Sequence, residues 1–211
     1  SSILALYAGN ISVHTAVSSM ATAEISRRIA ANPDLWVRVE DAAEVYRTAY
    51  VLWRQREIER LILEPLSLTW SERNEKSNQI EPSELHGILS RARSEQQRLD
   101  ADFLAIVAGV DGTDGDERAH LFAIRGSLVT CEDLLGFVSI GSGEWHASSL
   151  LMLHRYSALS GPAAALVELG LARRAASAAP GVGSDTDVFV VGPRLGTATY
   201  LKKEIVAMVD A

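Results

Sequence analysis

The grouping of apolar segments is what most constrains this chain. Between Asp102 and Gly143 four short runs follow one another: "DFLAIVAGV", "HLFAIRG", "SLVTCED" and "GFVSIGSG". Each is apolar, holds strand-forming residues and is bounded by Asp- or Gly-rich turn signals, so each is predicted to be a strand. Helical patterns lie on either side of the group and not between its members. Regular alternation of strands with helices would build a parallel sheet, whereas blocks of this kind point to an α+β layered fold.

The flanking pattern is consistent with that class. Ile3 to Ala8 is a short apolar run closed by Gly9-Asn10, which predicts a buried strand and a turn. Ser12 to Ala31, with apolar Ala16, Met20, Ala23, Ile29 and Ala30, predicts a helix stopped at Asn32-Pro33-Asp34. Glu40 to Leu63 predicts a second helix ended by Pro65, with Val45, Ala49, Leu52, Ile58 and Leu61 as its apolar stripe. The polar stretch Leu66 to Asp100 reads as an insertion, helical from Pro82 with Leu85, Ile88 and Leu89 inward. After the strand block come two predicted helices, Glu144 to Tyr156 and Pro162 to Ala179. A strand in "TDVFVVG" and a closing helix over Ala198 to Val209 complete the chain. There are no internal repeats, and the whole reads as a single domain with a helical insertion at about residues 66–100.

Composition narrows the function. The 211 residues carry a net charge of −7 with the two signs interspersed, which argues against nucleic acid or an anionic membrane as the main partner. Cys131 is the only cysteine, so no disulfide or cysteine-based metal site forms within one chain, as suits a reducing cytoplasm. No apolar run is long enough to span a bilayer.

The motif that asks for an explanation is Gly141-Ser142-Gly143. A nucleophile elbow would need Gly-x-Ser-x-Gly, but residues 140 and 144 are Ile and Glu. A dinucleotide loop would need a further glycine where His146 stands, and the Lys of a Walker loop is missing. What remains is a tight strand-to-helix turn with Ser142 as a cap, or a small-anion site at the helix start. None of the histidines, His14, His86, His120, His146 and His154, falls in a His-Glu-x-x-His pattern, and each reads as structural. Asp111, Asp114 and Asp116, with Gly112 and Gly115, lack the spacing of a calcium loop and read as a hairpin turn. In "APGVGSDTDVFVV", Asp185 and Asp187 follow a Gly-rich turn into a strand, either as a solvated turn or as a polar loop beside a site.

Taken in order, "ILALYAGNISVHTAV", "EVYRTAYVLWRQREIERLIL" and "DFLAIVAGVDG…AHLFAIRGSLVTCEDLLGFVSIGSGEWHASSLL" resemble the successive segments of proteasome-type subunits of the N-terminal nucleophile (Ntn) hydrolase family. The "APGVG" ending is similar to a bacterial proteasome-like branch. The resemblance implies a four-layer αββα sandwich, here without its first strands. It implies a threonine-type peptidase or amidohydrolase in which an N-terminal Thr, Ser or Cys attacks the carbonyl and its own amine is the base. The Gly9 N–H would be the oxyanion donor and Ser142 would orient the nucleophile's amine. Tyr7 and Ile11 would line the substrate pocket, and Asp185 or Asp187 would supply the late acid. No cofactor is implied. The implied partners are a peptide or protein substrate, further copies in a homo-oligomer, and an unfoldase. The family's nucleophile, its acid and its lysine precede the Ala-Gly turn by a longer segment than the eight residues before Gly9. The chain as it stands is therefore expected to be inactive. A non-catalytic structural or assembly subunit is the alternative.

Overall fold

A computed structural model describes residues 2–32, 37–66, 69, 71, 81–112, 116–183, 187–192 and 199–200. Strand β1 (Ser2–Gly9) leads into helices α1 (Ile11–Ala31) and α2 (Val39–Ile58), and then into α3 (Pro82–Asp102). Strands β2 (Phe103–Asp111), β3 (Arg118–Arg125) and β4 (Leu128–Cys131) follow as a meander. Helices α4 (Glu144–Leu153) and α5 (Pro162–Ala176) precede a short hairpin of β5 (Phe189–Val190) and β6 (Thr199–Tyr200). The main sheet is antiparallel, in the order β1-β2-β3-β4, and the fold is α+β. No helix among the described residues is long and apolar enough to cross a membrane.

Local chemistry explains the helix starts. The Asn10 side chain accepts from Ser12 N–H at 2.9 Å and caps α1. At α2 the Asp41 carboxylate accepts from Arg38 N–H, and Asp111 at the end of β2 accepts from Val39 N–H at 2.9 Å. That last bond ties the helix start to the sheet. It also gives Asp111 a structural role beyond the hairpin turn. Past Ile58 the helix widens into a π-turn over Glu59–Leu63 and tightens again at Glu64–Leu66, where Pro65 has no N–H to continue the ladder.

One face of the sheet packs on α1 and α2. Phe103, Ala105 and Val107 of β2 and Phe122 and Ile124 of β3 are buried there against Val17, Ala43, Tyr46 and Tyr50. Helix α3 packs on α2 through Ile58, Ala92 and Leu99, and Asp100 binds both Arg54 (2.6 Å) and the Tyr50 hydroxyl (2.9 Å). The polar stretch before β2 thus ends in a helix fixed to α2 by an ion pair. The opposite face carries Leu4, Leu6 and Ala8, then Leu104, Ile106 and Ala108, then Leu121 and Ala123, by strand alternation and register. It is as apolar as the first. The α4–α5 hairpin lies over it.

Several expectations need correction. Leu52, Leu61 and Leu89 were placed on inward stripes but are exposed: α2 buries the face that carries Val45, Tyr46, Ala49 and Tyr50, outside which Leu52 lies, Leu61 falls in the π-turn, and α3 buries Ile88, Ala92 and Leu99 instead of Leu89. "GFVSIGSG" is not a strand. Phe137 is buried with Leu151 and Ala172 under the helical hairpin, and the Ser139 carbonyl accepts from Arg125 instead of joining a ladder. The closing helix fails at its start, since Thr199–Tyr200 pairs with Phe189–Val190 as a strand. Residues 201–211 lie outside the described residues.

Candidate functional site

The two turns singled out in the sequence meet at one end of the sheet. Strand β1 closes at Gly9 with φ 110°, and a Cβ there would stand 2.5 Å from the Asp102 carbonyl oxygen. Only glycine lets the strand end against the junction of α3 and β2. Across from it, Gly141 has φ 92°, and a Cβ on it would lie 3.2 Å from the Ala8 methyl. The Ala8-Gly9 turn and the Gly141–Gly143 turn are therefore near neighbours, although well over a hundred residues separate them in the chain.

Arg125 at the end of β3 locks the second turn to the sheet. Its guanidinium grips Glu144, the first residue of α4, at 2.7 and 3.1 Å, and also donates to the Ser139 carbonyl at 3.3 Å. Inside this frame Ser142 is exposed, and among the described residues its hydroxyl makes no hydrogen bond. The expectation that Ser142 caps α4 is not met. Gly143 occupies the cap position, and no side chain caps the helix. The Ser142 hydroxyl is thus free to bind an incoming group.

The other predicted site residues divide between the two faces. Tyr7 points away from Ala8, toward α1, and its ring stacks on His14 at 4.5 Å while remaining 45% exposed. Ile11 opens α1 and is 65% exposed. Gly9 adjoins both Tyr7 and the Ser142 turn, but Tyr7 and Ser142 reach it from opposite sides of the strand. Asp187 stands exposed just before β5, and Asp185 lies outside the described residues. Below the two turns, on the face away from α1 and α2, runs an apolar cleft of about 380 Å³. Leu6, Ile106, Leu121, Phe137, Leu151 and Leu169 line it.

His14 was missed as a contributor. It is fully buried, and its Nε2 lies 3.0 Å from the Ala8 carbonyl oxygen. Burial pulls its basicity below that of ordinary histidine, and the bond to Ala8 only partly opposes this. The signal was present, since His14, Val17 and Ala21 form the one stripe that α1 buries.

One further cluster answers for other chemistry. Asp133 accepts from Leu121 N–H and from His120 Nδ1, both at 2.7 Å. Burial raises its carboxyl, but those bonds together with one from Cys131 outweigh burial and hold it below the usual range. At Cys131 the Asp133 backbone favours the thiolate, yet burial and the neighbouring carboxylates prevail and push the thiol up. Cys131 is exposed but is not an activated nucleophile. Among the described residues no group of His, Cys, Asp and Glu side chains is arranged to hold a metal ion.

No family model matches the chain, and searches of curated proteins and of solved structures return no match.

Proposed function

We propose that this chain is a proteasome-like Ntn-type hydrolase subunit acting on peptide or amide bonds, with a nucleophile that none of its described residues supplies. The observation that carries the reading is the contact between the Ala8-Gly9 turn and the Gly141–Gly143 turn. One would offer a backbone N–H to a developing oxyanion, and the other a free hydroxyl to the amine of the attacking residue. Supporting it is the second apolar face of the sheet, where Leu6 is left half open beside the α4–α5 hairpin, as a face would be that also receives the second sheet of a four-layer sandwich. Exposed Trp145, Met152 and Leu153 on α4 suit association with further copies.

On this reading the labour would divide as the resemblance implies. A nucleophile entering above Ser142 would find its amine held by that hydroxyl. The substrate carbonyl would lie toward Gly9, and its side chain would run toward Tyr7 and Ile11. The deciding experiment is terminal sequencing and intact mass of the protein from its native source, followed by hydrolysis of a fluorogenic peptide. A processed terminus at Thr, Ser or Cys upstream of Ser1 is expected, with turnover that Ser142→Ala lowers while the fold is unchanged. A native terminus at Ser1 and no turnover would remove the peptidase reading and leave the assembly-subunit alternative.

A further inference from the structure

We propose that His14 positions the Ala8-Gly9 peptide through its Nε2–H while its buried site keeps the ring neutral, so that the turn is latched by a group that a second proton would drive from its place. The Ala8 carbonyl can only accept, so Nε2 must carry the hydrogen of the 3.0 Å bond. Nδ1 then bears the lone pair. It is inaccessible to solvent, and among the described residues it has no hydrogen-bond partner. The ring is held in its plane between Tyr7 (4.5 Å, 14°) and Phe103 (4.6 Å, 18°).

The peptide link is planar and trans, so the Ala8 C=O and the Gly9 N–H lie in one plane and point opposite ways. Fixing the carbonyl direction fixes the N–H direction. A second proton on His14 would create a buried cation whose Nδ1–H has no acceptor, at a cost the stack cannot offset. The titratable group against the ring from β1 is the Tyr7 phenol. Phe103 faces it from β2, and behind Phe103 stand Tyr46 and Tyr50 of α2. No carboxylate among the described residues is bonded to the imidazole to welcome the charge. The folded chain therefore binds fewer protons at His14 than the unfolded chain does. Burial holds the folded ring below the ordinary histidine value, so the latch contributes fully above about pH 6.5, loses that contribution as pH falls from there, and opens in the folded chain only at a lower pH. That this would matter for catalysis rests on the reading of Gly9 as oxyanion donor. The latch itself does not.

The test is a ¹⁵N NMR titration of the full chain from pH 8 downward until His14 titrates or the chain unfolds, following the His14 imidazole nitrogens and the Gly9 amide. Expected at pH 8 is a protonated Nε2 with a bare Nδ1, and a Gly9 signal that shifts or splits in step with His14 protonation. His14→Gln keeps an N–H donor and cannot titrate, so its Gly9 signal should show no such step. His14→Phe keeps the stack but loses the donor, and its Gly9 amide should exchange with solvent about tenfold faster, the scale of one lost hydrogen bond. A Gly9 signal blind to the titration of His14, or an Nδ1–H tautomer, would overturn the proposal without recourse to any variant. Because no turnover is read, a chain inert toward peptides would retire the hydrolase reading alone.

Discussion

The two faces of one sheet are built from equally apolar residues and meet different fates. Toward α1 and α2, Phe103 is 1% exposed and stacks on Tyr50 at 3.8 Å and on His14 at 4.6 Å. On the other face Leu6, in the same sheet, is 42% exposed over an open cleft. Strand alternation gives both faces the same opportunity to be buried. What differs is the partner. The long helices α1 and α2 bury the middle of the first face, while on the second Ile106 and Ala123 are buried and Leu6, beside the shorter α4–α5 hairpin, stays half open. Hydrophobicity in a sequence therefore reports what a surface is suited to bury, and the length and placement of the covering helices decide what it does bury.

The largest effect should come from the filled face. Phe103→Ala removes the ring shared by His14, Tyr46 and Tyr50 and should cost about 3–5 kcal/mol, read as a fall in the urea midpoint. Close behind is Asp100→Ala, which strands Arg54, whose side chain is only 10% exposed, and also unpartners the Tyr50 hydroxyl. A fully buried pair broken this way loses about 3–5 kcal/mol, and the partial exposure of Asp100 should bring the loss toward the lower end. Asp100→Asn keeps an acceptor for Tyr50 but loses the charge, and should recover part of that. An Asp100→Ala chain as stable as the parent would mean that α3 is not anchored where the ion pair holds it.

The sequence revealed this comparison unevenly. Strand alternation and helical spacing made β1 to β4 and the helix order legible, because each period signals its own geometry. Leu52 and Leu61 deceived, because apolar residues at helical spacing need not lie on the face that the helix buries, here the one with Tyr46 and Tyr50. "GFVSIGSG" deceived more deeply. Its pattern suits a strand, but a strand needs a ladder partner, and Phe137 found a place under α4 and α5 instead. At the site, the two glycine turns could be picked out by residue type, yet their contact is tertiary and no local signal carries it. Arg125 was invisible for the same reason, since its partner Glu144 lies on another element. His14 was legible as buried, but not as bonded to Ala8.

Next in size is the joint between the faces. Gly9→Ala puts a Cβ 2.5 Å from the Asp102 carbonyl at φ 110°. Strain of that kind costs about 1–3 kcal/mol if the turn holds, and less if β1 peels away to avoid it. Hydrogen exchange separates the two. A general loss of stability means that the turn persisted, while selective loss of protection in β1 means that the strand gave way.

The smallest effect should lie on the open face, and it tests the comparison most directly. Leu6→Ala in dilute solution should shift the urea midpoint by under about 1 kcal/mol, because a half-exposed leucine has little burial to lose. Leu6→Lys should be tolerated equally and should lower self-association in sedimentation, since it places a charge on an apolar strand at the edge of the described sheet. If Leu6→Ala instead costs as much as a core truncation, the face is covered in solution. Repeating the measurement across a concentration series then identifies the cover. A cost that grows with concentration belongs to a second copy, and one that does not belongs to the chain's own residues.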